Sequence, residues 1–275
     1  MGSGVVRSHL PAYSASGRAM LQAHSLLWHY LWIAPNVVLL SLGALLWRRP
    51  KGREFRAFCW FAILSAAGHL VLYAADVTPW VSPRNFWRIC WASLLVDGAL
   101  KFAVIGTIFA RVFGSYSSIS KIGRLGIRWT GGVLLLLATL TAAYARTGNP
   151  YWLITGTHLL EQTIYFVECG LLIFIFIFSA YFRISWDGEP FGIALGLGIS
   201  ACVHLGTWAM LANAEPSAHG RTLLDFLNMA TYHACVLIWC YYLLVPHKVA
   251  TKSAVPLPEN NLAVWNRELE RLLQP

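Results

Sequence analysis

Charge is scarce in this sequence. Only 12% of the 275 residues are Asp, Glu, Lys or Arg, whereas 57% are hydrophobic. Soluble domains carry roughly a quarter charged residues. The hydrophobic residues also come in long runs, and the mean hydropathy is +0.56. A chain with this much apolar surface cannot bury it in one aqueous core, so the composition predicts that lipid is the solvent for most of the chain.

Several functional motifs are missing as well. The six cysteines form no Cys-x-x-Cys pair and fall mostly in apolar runs, so they are expected to be small apolar helix residues. There is no P-loop, Gly-x-Ser-x-Gly, His-Glu-x-x-His or kinase signature, and no cofactor is predicted. Residues 1–25 lack the apolar stretch of roughly 7–15 residues that a signal peptide needs. The first span is therefore expected to act as its own insertion signal.

The apolar runs predict an all-α, polytopic membrane protein with seven transmembrane helices. About twenty apolar residues cross the ~30 Å hydrocarbon core of a bilayer, and seven segments reach or approach that length. They are Leu27–Trp47, Ala57–Ala75, Phe86–Phe113, Trp129–Ala145, Leu153–Phe182, Phe191–Ala214 and Leu223–Val245. Residues 1–26 are then an extracytoplasmic tail, 27–245 the helix bundle, and 246–275 a cytoplasmic tail.

The distribution of Lys and Arg predicts the orientation. Fourteen of them fall in the loops after the first, third and fifth spans and in the C-terminal tail, six fall on the opposite side, and Lys101 lies inside a span. The positive-inside rule then places the N-terminus outside and the C-terminus in the cytoplasm, with the bundle in the inner (plasma) membrane. The net charge of +9 is attributed to loops that face anionic lipid, not to nucleic-acid binding.

The C-terminal tail is predicted to form a short amphipathic helix. Asn260 or Asn261 could cap it, and it would end near Leu273. Its apolar face consists of Leu262, Trp265, Leu269 and Leu272. We expect this helix to lie on the inner leaflet, with docking on a cytoplasmic partner or on the cytoplasmic loops as the alternative.

Ionisable and polar side chains recur at helical spacing inside the spans. A charge at mid-bilayer costs ~2.5–3.5 kcal/mol on insertion scales, so such groups normally face a bundle interior. The stripes are Ser65, His69, Tyr73 and Asp76 on the second span; Asp97 and Lys101 on the third; His158, Glu161, Tyr165 and Glu168 on the fifth; Gly192, Gly196, Ser200 and His204 on the sixth; and Asp225, Asn228 and Tyr232, with His233 at the edge, on the seventh.

Most of these groups lie in the outer half of the predicted membrane, which favours a polar pocket open to the outside. The candidate ligand-binding residues are His69, Asp97, Lys101, His158, Glu161, Tyr165, Glu168, His204 and His233. Acids outnumber bases, so a cationic ligand, a divalent metal or protons are favoured. More ordinary interpretations are an intrahelical ion pair for Asp97 and Lys101, a hydrogen-bonded core role for His204, and solvation at the interface for Asp76, Arg88 and Asp225.

Two resemblances add expectations. The stretch Cys169-Gly170-Leu171-Leu172, the run Phe191 to Gly198 and the turn Trp47-Arg48-Arg49 resemble a group of uncharacterised bacterial seven-helix integral membrane proteins, which has no assigned activity. The architecture is also similar to membrane hydrolases related to adiponectin receptors and alkaline ceramidases, which implies a zinc ion held by histidines.

The zinc candidates under that second resemblance are His69, His204 and His233, with Asp76 or Glu161 activating water. That family's pattern has a histidine pair four residues apart on the seventh span. Here the positions one turn before and after His233 hold Met229 and Leu237.

The leading functional hypothesis is a protein that binds or senses a small cationic or protonatable ligand. The alternatives are a proton-coupled small-solute transporter, a zinc-dependent hydrolase of a lipid amide or ester, and, more weakly, haem held between histidine pairs. Under the leading hypothesis, Glu161 and Glu168 line a hydrated pocket and tolerate replacement by Gln.

Overall fold

The computed structural model describes residues 24–49, 54–114, 152–181, 184, 186–214 and 218–245, together with isolated residues between 125 and 136 and between 264 and 271. Within this part of the chain the architecture is all-helical. The six long helices are α1 (Leu26–Arg48), α2 (Arg56–Val77), α3 (Pro83–Val112), α4 (Trp152–Tyr181), α5 (Gly188–Ala214) and α6 (Ala218–Leu244).

All six helices are long and apolar enough to cross a membrane. They match the first, second, third, fifth, sixth and seventh predicted spans, which confirms those six segments. Large hydrophobic side chains such as Phe166, Ile177 and Tyr241 point away from the bundle and are exposed, as lipid-facing residues are. The chain therefore has the architecture of a multi-pass membrane protein.

Two predicted elements fall mainly outside the described residues. Of the segment Trp129–Ala145, only Trp129, Gly132, Val133 and Leu136 are described, and they are helical. Of the amphipathic tail helix, only Val264, Arg267 and Arg271 are described, and they are helical too.

Local sequence explains where two helices begin. Ser25 precedes α1, and its Oγ accepts a hydrogen bond from the backbone N–H of Trp28 at 3.2 Å. Ser82 precedes α3, accepts from the N–H of Asn85 at 3.4 Å, and is followed by Pro83 at the first helical position. Both arrangements satisfy donors that a helix start leaves unpaired.

The helices form a closed ring in chain order, since each packs on the next and α6 returns to α1. Sequential neighbours are antiparallel within the sets α1–α2–α3 and α4–α5–α6. We call the end of the bundle that contains Ser25 and the start of α1 the Ser25 end, and the opposite end, at the last turn of α3, the Arg111 end.

Helices α3 and α4 break the alternation, because they run parallel. Trp87 contacts His158 near the Ser25 end, Lys101 contacts Glu168 at mid-height, and Phe113 contacts Phe178 near the Arg111 end. The chain between these helices leaves α3 at the Arg111 end and enters α4 at the Ser25 end.

Small residues on α5 bring it close to α6. A Cβ atom added to Gly192 would lie 2.2 Å from Cβ of Tyr242, and one added to Gly196 would lie 2.3 Å from Nε1 of Trp239. The indole N–H of Trp239 donates to the carbonyl of Ile193 at 3.2 Å. The predicted role of these glycines, close approach of a neighbouring helix, is confirmed.

Candidate functional site

A buried group of three charged side chains lies midway along the bundle, and we call it the charge cluster: Asp97, Lys101 and Glu168. The Nζ atom of Lys101 lies 3.3 Å from Oδ2 of Asp97, one turn earlier on α3, and 3.3 Å from Oε2 of Glu168 on α4. Their exposed fractions are 9% for Asp97, 6% for Lys101 and 0% for Glu168. The predicted Asp97–Lys101 pair is confirmed, and Glu168 joins it from the neighbouring helix.

Polar and aromatic groups from three helices enclose the charge cluster. Ser65 on α2 donates its hydroxyl to Oδ1 of Asp97 at 2.6 Å. The Lys101 ammonium lies 4.3 Å from the ring centroid of Tyr165, within range of a cation–π interaction. Tyr165 in turn stacks on His204 of α5, with centroids 4.2 Å apart. Hydrogen bonding and ring contacts thus compensate part of the cost of burying the lysine.

His204 and His69 both have structural partners. Nδ1 of His204 lies 3.0 Å from the carbonyl oxygen of Ser200 on the same helix. Nδ1 of His69 lies 3.2 Å from Oδ1 of Asn36, the same oxygen that accepts from the hydroxyl of Tyr232 at 3.1 Å. The Asn36 side chain therefore links α1, α2 and α6, and we call Asn36, His69 and Tyr232 the asparagine brace.

A second acidic position lies closer to the Ser25 end. Oε2 of Glu161 is 3.9 Å from Nδ1 of His158, one turn away on α4. The His158 ring packs against Trp208 of α5 at 5.0 Å and Trp87 of α3 at 6.0 Å between centroids. The Glu161 side chain is 28% exposed, in contrast to Glu168. A partly open carboxylate whose histidine partner packs against two indole rings is chemically suited to a small organic cation.

The predicted site residues thus separate into groups. Asp97, Lys101, Tyr165, Glu168 and His204 form one continuous cluster, while His158 with Glu161, and His69 in the asparagine brace, lie elsewhere. His233 stands apart: its ring contacts Tyr30 at 5.8 Å, and its buried Nδ1 has no hydrogen-bond partner among the described residues.

One expectation about this site is wrong. Glu168 does not line an open, hydrated pocket, because its side chain is fully buried and in contact with Lys101. The spacing of residues along one helix predicts which of them share a face, but it does not predict whether a neighbouring helix covers that face.

The three histidines considered as zinc ligands do not meet. Within the described residues, which include His69, His204 and His233, no group of three or more His, Cys, Asp or Glu side chains is arranged to hold a metal ion. His69 is held by Asn36, and His204 by Tyr165 and the Ser200 carbonyl. The geometry therefore gives the zinc-hydrolase hypothesis no support.

Sequence reasoning missed Asn36 and Trp208. Asn36 is 2% exposed and donates from Nδ2 to the carbonyl of Trp32 at 2.6 Å. An amide in the middle of an apolar span, directly after Pro35, was a visible signal of a buried hydrogen-bonded role. Trp208 has no such signal, since a tryptophan near a span end is ordinary in membrane proteins.

The interior becomes mainly apolar between the charge cluster and the Arg111 end. Towards the Arg111 end, the buried side chains include Phe58, Phe61, Phe109, Phe113 and Trp239. Ser179 is a buried polar side chain in this half, and its hydroxyl donates to the carbonyl of Phe176 on the same helix at 3.0 Å. An aromatic and aliphatic layer therefore separates the charge cluster from the Arg111 end.

Arg111 closes that end at the surface. Its Nη2 lies 2.8 Å from Oε2 of Glu54, and its Nε lies 3.7 Å from Oδ2 of Asp187. The guanidinium also sits over the ring of Phe55, at 4.7 Å. These contacts tie the start of α2, the end of α3 and the start of α5 together.

Comparison with known proteins finds no matching family model, no similar curated protein and no similar solved structure. The geometry of the polar interior is therefore the basis for a functional assignment.

Proposed function

We propose that the protein is a seven-span plasma-membrane protein that binds a small cationic or protonatable ligand from the outside and senses it. The observation that carries this proposal is the unequal interior of the bundle. Among the described residues, polar and acidic groups occupy the half between the Ser25 end and the charge cluster, whereas the buried side chains of the other half are mainly apolar. Such an interior suits entry from one side without passage to the other.

The ligand would meet Glu161 first. This carboxylate is partly exposed, and Trp87 and Trp208 lie around its partner His158. A carboxylate supplies charge and the indole faces supply cation–π attraction, which together favour an ammonium group over a neutral or anionic solute. Because His158, Trp87 and Trp208 come from three helices, a ligand at this position would change how α3, α4 and α5 pack, and that change could reach a partner at the cytoplasmic loops or tail.

A thermal-shift experiment tests the ligand class. Purified protein in detergent is heated with choline, putrescine or imidazolium chloride, and with glycerol and acetate as neutral and anionic controls. At a concentration about 100 times its Kd, a binding amine should raise Tm by roughly 5–10 °C. Glu161→Gln should remove most of this shift, because the carboxylate is the only charge changed.

The matched control is Glu54→Gln, the same substitution at an exposed acid at the Arg111 end. It should leave the amine-induced shift intact. A wild-type protein whose Tm responds to none of the amines, or an unchanged shift in Glu161→Gln, would remove the proposed site.

A proton-coupled transporter is the second candidate, favoured by the position of the charge cluster at mid-height. Uptake measurements in proteoliposomes with an imposed pH gradient distinguish a transporter from a sensor. Accumulation of radiolabelled amine would establish transport and refute a purely sensory role. Binding without accumulation is the result expected of the sensor.

The remaining span of this proposal is the segment 129–145, the fourth in chain order, and the parallel arrangement of α3 and α4 supports it. Residues 87–112 of α3 extend about 38 Å at 1.5 Å per residue, so the connection to α4 returns across a comparable distance. A transmembrane crossing by the apolar residues of this segment would make that return. With seven spans, the termini would lie on opposite sides, and the Lys and Arg distribution supports a cytoplasmic location for the Arg111 end.

Cysteine accessibility tests this topology. After the native cysteines are replaced by Ser or Ala, single cysteines are introduced at Ser120 and Asn149, on either side of the proposed crossing. In intact cells, a membrane-impermeant maleimide should label the cysteine at position 149 and leave the one at 120 unlabelled until the membrane is permeabilised. Labelling of both positions from outside would exclude the crossing, and labelling of 120 alone would reverse the orientation.

A further inference from the structure

The carboxylate of Glu168 lacks a complete set of partners. Its side chain is 0% exposed, and only Oε2 approaches Lys101, at 3.3 Å. Among the described residues, neither oxygen has a hydrogen-bond donor in acceptable geometry. Asp97, in contrast, takes the Ser65 hydroxyl in addition to Lys101. A buried carboxylate oxygen without a donor is strongly unfavourable, so Glu168 lacks one positive or donating group among the described residues.

The charges of the cluster lead to the same conclusion. Two carboxylates face one ammonium group, which leaves a net charge of −1 when all three are ionised. The other described polar or titratable groups near the cluster include Ser65, His69, Glu161, Tyr165, Cys169, His204, Tyr232 and Cys235. The Nδ1 atoms of both histidines face Asn36 and the Ser200 carbonyl, and the described ion pairs of Asp97 and Glu168 are with Lys101 and not with either histidine. The described surroundings therefore supply no second fixed cation.

We infer that Glu168 is a binding site for one monovalent cation, and that this cation is the proton. A metal ion needs several oxygen ligands, and the described residues provide no group of three His, Cys, Asp or Glu side chains suited to one. A proton needs only one oxygen. The step is the addition of H⁺ from hydronium to Oε1, which gives a carboxylic acid and water and changes the cluster from −1 to 0.

The use of this proton rests on the proposed function, although its binding does not. A cation that enters from the Ser25 end meets a cluster whose charge depends on the proton at Glu168. By linkage, ligand and proton would compete through their electrostatic repulsion, and proton release would accompany ligand binding. The bundle would then convert the arrival of a cation into a change of charge at its centre.

Infrared difference spectroscopy tests the proton directly. Reconstituted protein is compared between neutral and alkaline buffers, in which exposed glutamates stay ionised, with N-methyl-D-glucamine as the only cation. We expect a protonated-carboxyl C=O band that shifts in D₂O and shifts again when glutamate is ¹³C-labelled. The band should be lost in Glu168→Gln and kept in Glu161→Gln. The ¹³C arm assigns the band to a glutamate without any substitution, and its retention in Glu161→Gln leaves Glu168, the fully buried glutamate among the described residues, so the question is decided even if Glu168→Gln does not fold.

Two results would overturn the inference. One is the absence of a labelled-glutamate C=O band in the wild type, and the other is its persistence in Glu168→Gln. If that band is absent and NaCl raises Tm relative to N-methyl-D-glucamine chloride, a metal ion occupies the site instead of a proton. The amine-induced Tm shift at Glu161 is a separate measurement, so a failure of the ligand proposal and a failure of the proton site are distinguishable.

Discussion

Replacing Lys101 with Met should lower the free energy of unfolding by about 3–5 kcal/mol, because it removes the ammonium group that the buried Asp97 and Glu168 side chains share and leaves a buried charge without its partner. Both partners lie 3.3 Å from Nζ and are almost completely enclosed. Equilibrium unfolding in mixed micelles, or Tm in detergent, measures the loss. Methionine retains much of the length of the lysine side chain, so the change is mainly one of charge.

Arg111→Met is the matched control for that experiment. It also removes a positive charge from α3, but its ion pairs are partly solvated, so the expected loss is only about 0–1 kcal/mol. Combining Lys101→Met with Asp97→Asn and Glu168→Gln should restore most of the stability, since a neutral cluster strands no charge. A Lys101→Met protein as stable as the wild type would show that the buried ion pairs do not form.

Alanine at Gly196 should destabilise the bundle by about 1–3 kcal/mol through overpacking against α6. The new methyl group would lie 2.3 Å from Nε1 of Trp239, a buried indole whose N–H already donates to Ile193. The helix cannot accept the methyl group without moving this ring. Helix propensity alone would favour alanine over glycine by up to about 1 kcal/mol, so a measured loss reports the contact.

Gly206→Ala on the same helix provides the comparison, because nothing lies within 4 Å of the added Cβ. It should be neutral or stabilising in the same unfolding measurement. Trp239→Phe should partly rescue Gly196→Ala, because the smaller phenyl ring leaves room for the added methyl group. Equal effects of alanine at positions 196 and 206 would contradict the close packing of α5 on α6.

Run length and helical spacing were enough to predict much of this architecture. Six spans follow from hydrophobic runs, since crossing a bilayer fixes both length and polarity. The Asp97–Lys101 pair follows from four-residue spacing on one helix. The approach of α5 to α6 follows from Gly192 and Gly196.

The contacts between helices could not be predicted in this way. The packing of the whole bundle determines how each helix is rotated about its axis and which helices it contacts. Glu168 could have faced water, a histidine or Lys101, and only the ring order and the parallel α3–α4 pair place it on Lys101. Because Glu168 is buried against Lys101, its replacement by Gln acts on the charge cluster and not on a hydrated pocket. Glu168→Gln should remove the proton-binding group and fix the charge of the cluster at 0, while Lys101 keeps Asp97 as its partner.

The parallel pairing of α3 with α4 also bears on how the bundle assembles. During synthesis, α1–α2–α3 and α4–α5–α6 can each form from helices that follow one another and pack antiparallel. The ring closes only when these two halves dock, along α3 with α4 and along α6 with α1. The Lys101–Glu168 ion pair and the Tyr232–Asn36 hydrogen bond each span one of those two seams. Because the two surfaces are otherwise apolar, these polar contacts fix the register at which the halves pack together.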